Sequence, residues 1–87
     1  MAGVEPNMRF EFTRHALEQM ELRQISKEVV ENIMTNPNQT LHQDGSKVYQ
    51  SITEDKKYLI RIFVNETNQV ITVYKTSKIS KYYEGKI

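Results

Sequence analysis

Three side chains near the N-terminus have the types and spacing needed for acid–base or phosphate chemistry. His15, Gln19 and Arg23 repeat every four residues, which places them along one side of a helix. Imidazole is the side chain best suited to move a proton near neutral pH. A histidine that only packs or bonds locally at a helix start is the plainer alternative, and spacing alone favours it.

A second candidate group surrounds an arginine in the C-terminal half. Arg61 interrupts Tyr58–Val64, a stretch that is otherwise apolar. Such a residue is either exposed on a two-sided sheet or has a partner, because burying an unpaired charge is very costly. A guanidinium could also grip a phosphate through two parallel hydrogen bonds. Tyr49 and Tyr74 could stack on bases, although tyrosine is common in strands for structural reasons alone.

The overall charge gives little support for nucleic-acid binding. Twelve Lys and Arg residues face eleven Asp and Glu residues, for a net charge of +1. Lys75 and Lys78 begin a basic tail that could contact an RNA backbone, but such tails are more often only solvated. Cysteine is absent, and the two histidines lack a supporting carboxylate pattern. We therefore expect no metal and no cofactor.

The chain has the length of one small domain, at 87 residues. No apolar run approaches the ~20 residues of a membrane span. The N-terminus lacks the layout of a signal peptide, so we expect a cytoplasmic protein without membrane contact. Residues 1–8 have no periodicity and predict a disordered tail, whereas residues 9–87 predict a single α+β domain.

Helical spacing dominates the first half of that domain. An alternating stretch at residues 9–12 predicts a short strand. Thr13 is expected to cap a helix that ends near Leu22, and Ser26 to cap a second one. Pro37 ends the second helix, because proline disfavours a helical residue before it.

The period changes to two after this proline and predicts a four-stranded antiparallel meander, on which the two helices pack. The expected strands are 40–43, 46–53, 58–64 and 70–74, with Asp44–Gly45 as the strongest hairpin signal. Assumed turn lengths pair Leu41 with Val48, Val48 with Ile62, Tyr49 with Arg61, and Arg61 with Tyr74. Tyr49, Arg61 and Tyr74 would then share the face away from the helices. The tail 77–87 could form an edge strand, a helical turn or an ordered extension.

The stretch Phe12–Ser26 resembles a known signature. Its F-T-x-H-A-x-x-x-M-x-x-R-x-I-S pattern is similar to the T-x-H-A-x-x-R-M-x-x-R-x-I-S of a family of small bacterial domains of unknown function. That family is grouped with the RelE/ParE-like and BrnT-like toxins. Pro37 and residues 70–74 match its later features, so the resemblance covers roughly residues 9–82. Gln19 departs from it, since the family usually has arginine there.

The resemblance implies a RelE-like fold and metal-independent RNA cleavage, in which the ribose 2′-hydroxyl attacks the adjacent phosphate. It implies that His15 acts as base or acid and that Tyr74 positions the phosphate. Arg23 and Arg61 would neutralise the transition state. The expected RNA-binding residues are Gln19, Tyr49, Lys75 and Lys78. A toxin of this kind would also have an antitoxin-like protein partner.

Two functions therefore remain open. The first is a toxin-like endoribonuclease, and the alternative is a catalytically inactive RelE-like module that binds protein or RNA. A structure that places His15 near Arg61 on one surface would favour the enzyme. A structure that places them on opposite faces of the sheet would favour the binding module.

Overall fold

A computed structural model describes residues 10–85 and contains five strands and three helices. In chain order these are β1 (Glu11–Phe12), α1 (Arg14–Leu22), α2 (Lys27–Thr35), β2 (Gln39–Gln43), β3 (Ser46–Ile52), β4 (Leu59–Val64), β5 (Gln69–Thr76) and α3 (Ile79–Tyr82). The tail predicted at residues 1–8 lies outside the described residues. None of the helices in the described part is long and apolar enough to cross a membrane.

The strands form one mixed sheet in the order β1-β5-β4-β3-β2. β2 to β5 are antiparallel neighbours, whereas β1 runs parallel to β5. The predicted four-stranded, purely antiparallel sheet is therefore wrong. β1 pairs only through Glu11 and Phe12, but the backbone amide and the hydroxyl of Thr13 both donate to the Val70 carbonyl, each at 3.1 Å. These bonds carry the pairing with β5 directly into the cap of α1.

Both long helices begin at the predicted caps. The Thr13 hydroxyl accepts from the Ala16 amide at 3.1 Å, and the Ser26 hydroxyl accepts from the Val29 amide at the same distance. Each bond satisfies one of the amides that a first helical turn leaves free. The prediction of two capped helices is confirmed, and a tight turn joins them.

That turn depends on one residue with a left-handed backbone. Gln24 has φ +57°, and its amide donates to the Glu21 carbonyl at 3.2 Å. The Ile25 amide donates to the Met20 carbonyl at 2.8 Å. This pair of bonds is the Schellman arrangement, in which glycine usually takes the left-handed position. The turn redirects the chain so that Ile25 enters the core, where it is 6% exposed.

α1 and α2 cover one face of the sheet, here called the helix face. The buried cluster between them is Ala16, Met20, Ile25, Val30, Ile33, Met34, Ile60, Ile62, Val64, Val70 and Val73. Because side chains alternate along a strand, Arg61 lies between Ile60 and Ile62 but points to the opposite side, here called the Arg61 face. The turn of helix α3 follows β5, which agrees with one of the three forms considered for the tail.

The predicted register holds at β2–β3 and fails by one residue at β3–β4. Leu41 pairs with Val48 as expected. Val48 then pairs with Phe63 rather than Ile62, and Tyr49 pairs with Ile62 rather than Arg61. The prediction placed Tyr49 with Arg61, but it lies on the helix face.

A four-residue turn, where three residues were expected, causes this slip. The amide of Thr53 donates to the Tyr58 carbonyl at 2.9 Å, which leaves residues 54–57 in the turn. The Asp55 carboxylate accepts from the Thr53 hydroxyl and from the Lys57 amide at 3.0 Å. These bonds lower the pKa of Asp55, with the Thr53 hydroxyl as the largest cause. An aspartate that bonds its own backbone two residues on favours such a turn.

At β4–β5 the predicted pairing of Arg61 with Tyr74 is confirmed. The turn here is shorter than assumed, because the Asn65 amide donates to the Gln69 carbonyl. Val64 pairs with Val70 while Phe63 pairs with Thr72, so one extra residue of β5 forms a bulge. The short turn and the bulge compensate each other, and the register of the central residues is unchanged.

Candidate functional site

The most distinctive group on the Arg61 face is a buried guanidinium. Arg61 is only 4% exposed. Its Nε donates to Gln50 Oε1 at 2.8 Å, and its Nη1 donates to the Tyr74 hydroxyl at 2.7 Å. Gln50 is fully buried and faces Arg61 directly across the β3–β4 ladder. Central strand positions therefore fix the guanidinium from two sides.

Three aromatic rings surround the same group. The guanidinium carbon lies 4.5 Å from the ring centroid of Tyr82, 5.3 Å from that of Phe63 and 5.8 Å from that of Tyr74. Phe63 and Tyr74 stack on each other at 6.1 Å, and Tyr82 meets Tyr74 edge-on at 6.4 Å. Ring faces attract a cation at these distances and replace part of its lost hydration.

This cation is held by neutral groups. Within residues 10–85, the hydrogen bonds of the guanidinium go to an amide oxygen and a phenol. Buried charges in proteins are usually paired with an opposite charge, because removing them from water is costly. Arg61 thus combines a full positive charge with flat rings, which is the chemistry that receives a phosphate and a base.

The C-terminal segment lies over this group and is bonded to it through two glutamines. Gln50 Nε2 donates to Gln39 Oε1 at 2.7 Å and to the Tyr82 carbonyl at 3.1 Å. Gln39 Oε1 also accepts from the Glu84 amide at 3.0 Å, and Gln39 Nε2 donates to the Glu84 carbonyl. One polar chain therefore runs from the edge strand β2 to the guanidinium.

The structure places the α1 candidates away from Arg61. α1 packs on the helix face through Ala16 and Met20, so His15 and Arg23, both exposed, do not share a surface with Arg61. Gln19 has a structural contact: its Oε1 accepts from the backbone amide of Val73 at 3.0 Å. The expected cluster of His15, Arg23 and Arg61 is thus divided between the two sides of the sheet.

The remaining RNA-binding candidates are divided in the same way. Tyr49 packs against the core on the helix face, edge-on to Phe10 at 6.2 Å. Lys75 is exposed and pairs with Ile60, a helix-face residue, with its Nζ 4.9 Å from the Tyr58 ring centroid. Lys78 is exposed at the start of α3. Lys78 alone of these lies next to the segment over Arg61, with its backbone amide donating to the Thr76 hydroxyl at 3.0 Å at the end of β5.

Sequence reasoning missed Gln39, Gln50 and Tyr82. Gln50 is a neutral polar residue in the middle of a strand between Val48 and Ile52, and that pattern could have marked a buried polar partner. The one-residue error at β3–β4 hid it, because the assumed register set Tyr49 opposite Arg61. Tyr82 lies in the tail, whose position no local pattern defines.

Side chains that could bind a metal ion do not cluster in the described residues. No group of three or more His, Asp or Glu side chains between residues 10 and 85 is placed to hold a metal ion. The residues that converge on the Arg61 face are a cation, two amides, a phenol and aromatic rings. They can bind an anion, stack on a planar group and donate hydrogen bonds.

Comparison with known proteins identifies one family. No curated protein matches the chain, and no solved structure does. Residues 12–78 match a family described as Domain of unknown function (DUF4258). The matched range begins at Phe12 in β1 and ends at Lys78, so it contains the whole sheet except Glu11, together with α1 and α2. Since this is more than half of its length, the chain belongs to the DUF4258 family.

Proposed function

We propose that the chain binds single-stranded RNA through its Arg61 face, as a RelE-like, toxin-type binding module with an antitoxin-like protein as its partner. The observation that carries the proposal is the buried Arg61 guanidinium, held by neutral groups and ringed by Phe63, Tyr74 and Tyr82. Single-stranded RNA offers a phosphate for the cation and unstacked bases for the rings of Phe63 and Tyr74. A protein ligand would be expected to bind an exposed apolar patch rather than a buried cation among aromatic rings.

A comparison of one lysine near the Arg61 face with one on the helix face distinguishes specific RNA binding from general electrostatic attraction. Lys78 lies just past the end of β5, directly before the segment over Arg61, whereas Lys75 is an exposed lysine of the helix face. A lysine that contacts the RNA backbone contributes about 0.7 to the salt dependence of single-strand binding. Lys78→Gln should therefore reduce that slope by about this amount, and Lys75→Gln should leave it unchanged.

The experiment is a fluorescence-anisotropy titration of a labelled single-stranded RNA at several salt concentrations, with EDTA present. Wild type should bind with a clear salt dependence. Arg61→Lys keeps the charge but loses the planar fork, so it should bind more weakly than wild type. His15→Ala, on the other side of the sheet, should bind like wild type. Absence of binding by wild type, or equal losses in Lys78→Gln and Lys75→Gln, would contradict the proposal.

A metal-independent endoribonuclease is the second candidate function. The contact that favours it is the 2.7 Å bond from Arg61 Nη1 to the Tyr74 hydroxyl. The cation could stabilise the charge that develops on the phosphate, and the phenol could exchange a proton. His15 and Arg23 are left out of this site because α1 packs on the helix face.

Cleavage is tested with the same RNA in EDTA, with products separated on a denaturing gel. If the chain is an enzyme of this kind, Tyr74→Phe should bind RNA but cleave it at least tenfold more slowly, the low end of the contribution of a general acid or base. His15→Ala should retain the wild-type rate. Equal background rates in wild type, Tyr74→Phe and His15→Ala would contradict the enzyme and leave the binding module as the proposal.

A further inference from the structure

We propose that residues 79–85, here called the cover, close the Arg61 site and must leave it before RNA can bind. The proposal concerns regulation of the same site and rests on the RNA-binding function proposed above. It follows from a conflict on the Arg61 face. The guanidinium that would receive a phosphate is 4% exposed, and the ring of Tyr82 in the cover lies 4.5 Å from it.

The cover is held mainly by backbone hydrogen bonds to two glutamine side chains. Gln39 bonds both the amide and the carbonyl of Glu84, and Gln50 bonds the carbonyl of Tyr82. Because these bonds are made by backbone atoms of the cover, they fix the position of the segment and not only of one side chain. Gln39 makes no hydrogen bond to Arg61 and reaches the guanidinium only through Gln50.

Apart from these bonds and the contacts of the Tyr82 ring, little in the cover resists opening. α3 has four residues, buries none of their side chains and begins at Lys78 without a side-chain cap. A single helical turn is not stable by itself in water. Segments with few buried apolar contacts open at much lower free-energy cost than the core does. The cover is therefore a part of the molecule that can open while the sheet stays folded.

When the cover opens, Arg61 can exchange the ring of Tyr82 for a phosphate of the RNA, which carries the opposite charge. The cover supplies an aromatic ring over the guanidinium, but it brings no carboxylate bond to it within residues 10–85. A phosphate supplies the opposite charge in a geometry that matches the guanidinium fork. RNA should thus bind the open state and shift the population towards it, and the closed state should lower the apparent affinity.

The first test measures whether Arg61 is covered, without any RNA. Phenylglyoxal modifies exposed arginines, and mass spectrometry gives the rate for each site. Arg14 and Arg23 are exposed and serve as internal references. In wild type, Arg61 should react far more slowly than either. In Gln39→Ala, Arg61 should react at least about tenfold faster, because each of the two lost bonds to Glu84 contributes roughly a factor of three to ten to closure.

Gln43→Ala is the matched control, since Gln43 lies on the same strand and the same face but is exposed. It should leave the Arg61 rate at the wild-type value. Tyr82→Ala removes the ring over the guanidinium and should speed the Arg61 reaction even if Gln39→Ala folds poorly. Arg61 rates unchanged in both Gln39→Ala and Tyr82→Ala would overturn the cover, and so would an Arg61 as reactive as Arg14 in wild type.

The second test measures RNA affinity of the same variants in the full-length chain. Gln39→Ala should bind single-stranded RNA about tenfold more tightly than wild type, and the added Arg61→Lys substitution should remove that gain. If wild type binds RNA but Gln39→Ala binds no better, the cover does not control the site, although the binding function stands. If Arg61 becomes reactive in Gln39→Ala and no variant binds RNA, the proposed function fails and this regulation fails with it.

Discussion

Gln19 offers the sharpest test of how α1 is attached to the sheet. Its Oε1 accepts from the amide of Val73, a fully buried residue of β5, at 3.0 Å. Within residues 10–85, the strand partner on this side of β5 is the two-residue β1, which pairs at Gln69 and Val70. Gln19 therefore takes the place of a strand partner for a backbone amide that would otherwise be unsatisfied.

Substitution by a residue of similar length without an acceptor should reveal the value of this bond. Gln19→Met leaves the Val73 amide without a partner, which costs about 1–3 kcal/mol when the group is buried. For a domain of this size such a loss lowers Tm by roughly 5–20 °C. Gln19→Glu keeps an oxygen at the same reach and should lose less than half as much. Gln19→Arg has only donors, so it should behave like Gln19→Met.

Two measurements on the same proteins decide the question. Urea unfolding, monitored by circular dichroism, gives the free energy of unfolding of each variant. Amide hydrogen exchange gives the protection of the Val73 amide itself. The expected result is a loss in both for Gln19→Met and Gln19→Arg. A Gln19→Met variant that stays within ~0.5 kcal/mol of wild type, the range of ordinary surface changes, and keeps the Val73 amide protected would refute this role of Gln19.

Three further predictions concern the turns and the α1 contact. Gln24→Gly should raise the free energy of unfolding by about 0.5–1 kcal/mol in urea titrations, because glycine adopts φ +57° without strain; Gln24→Ala should not. Ala16→Leu should lower it by about 1–3 kcal/mol, since Ala16 is fully buried, whereas the exposed neighbour His15→Leu should stay within ~0.5 kcal/mol. The pKa of Asp55 is lowered from its ordinary value of 3.8. Its carboxylate therefore stabilises the fold above pH 3.8 and ceases to do so as the pH falls through the lower pKa of the folded state. The stability difference between wild type and Asp55→Asn should therefore shrink in acid unfolding below pH 3.8.

Local signals sufficed where local chemistry decides the structure. Thr13 and Ser26 cap the helices as their types predict. Asp44 and Gly45 form the two-residue turn of β2–β3 with φ +50° and +79°, the positive values that an Asp-Gly turn favours. Each of these features depends on residues within a few positions of one another in the chain.

Long-range features were predictable only through assumptions about turn length. One extra residue in the β3–β4 turn moved Tyr49 to the helix face and brought Gln50 opposite Arg61. At β4–β5, by contrast, a short turn and a bulge cancelled, so the correct pairing of Arg61 with Tyr74 came from two compensating differences. The parallel pairing of β1 and the position of the cover depend on contacts far apart in sequence, for which no local pattern exists.

The signature around α1 can be explained by the fold without any chemistry. Ala16, Met20 and Ile25 fill the core under the helices, and Thr13 and Ser26 cap the two helices. In this chain each of these residues contributes to the attachment of α1 and α2 to the sheet. His15 and Arg23 remain unexplained by packing, but they lie on the side away from the only buried cation within residues 10–85. The signature therefore reports the fold, and activity should be sought on the Arg61 face, where the test residues are Arg61, Tyr74 and the glutamines that hold the cover.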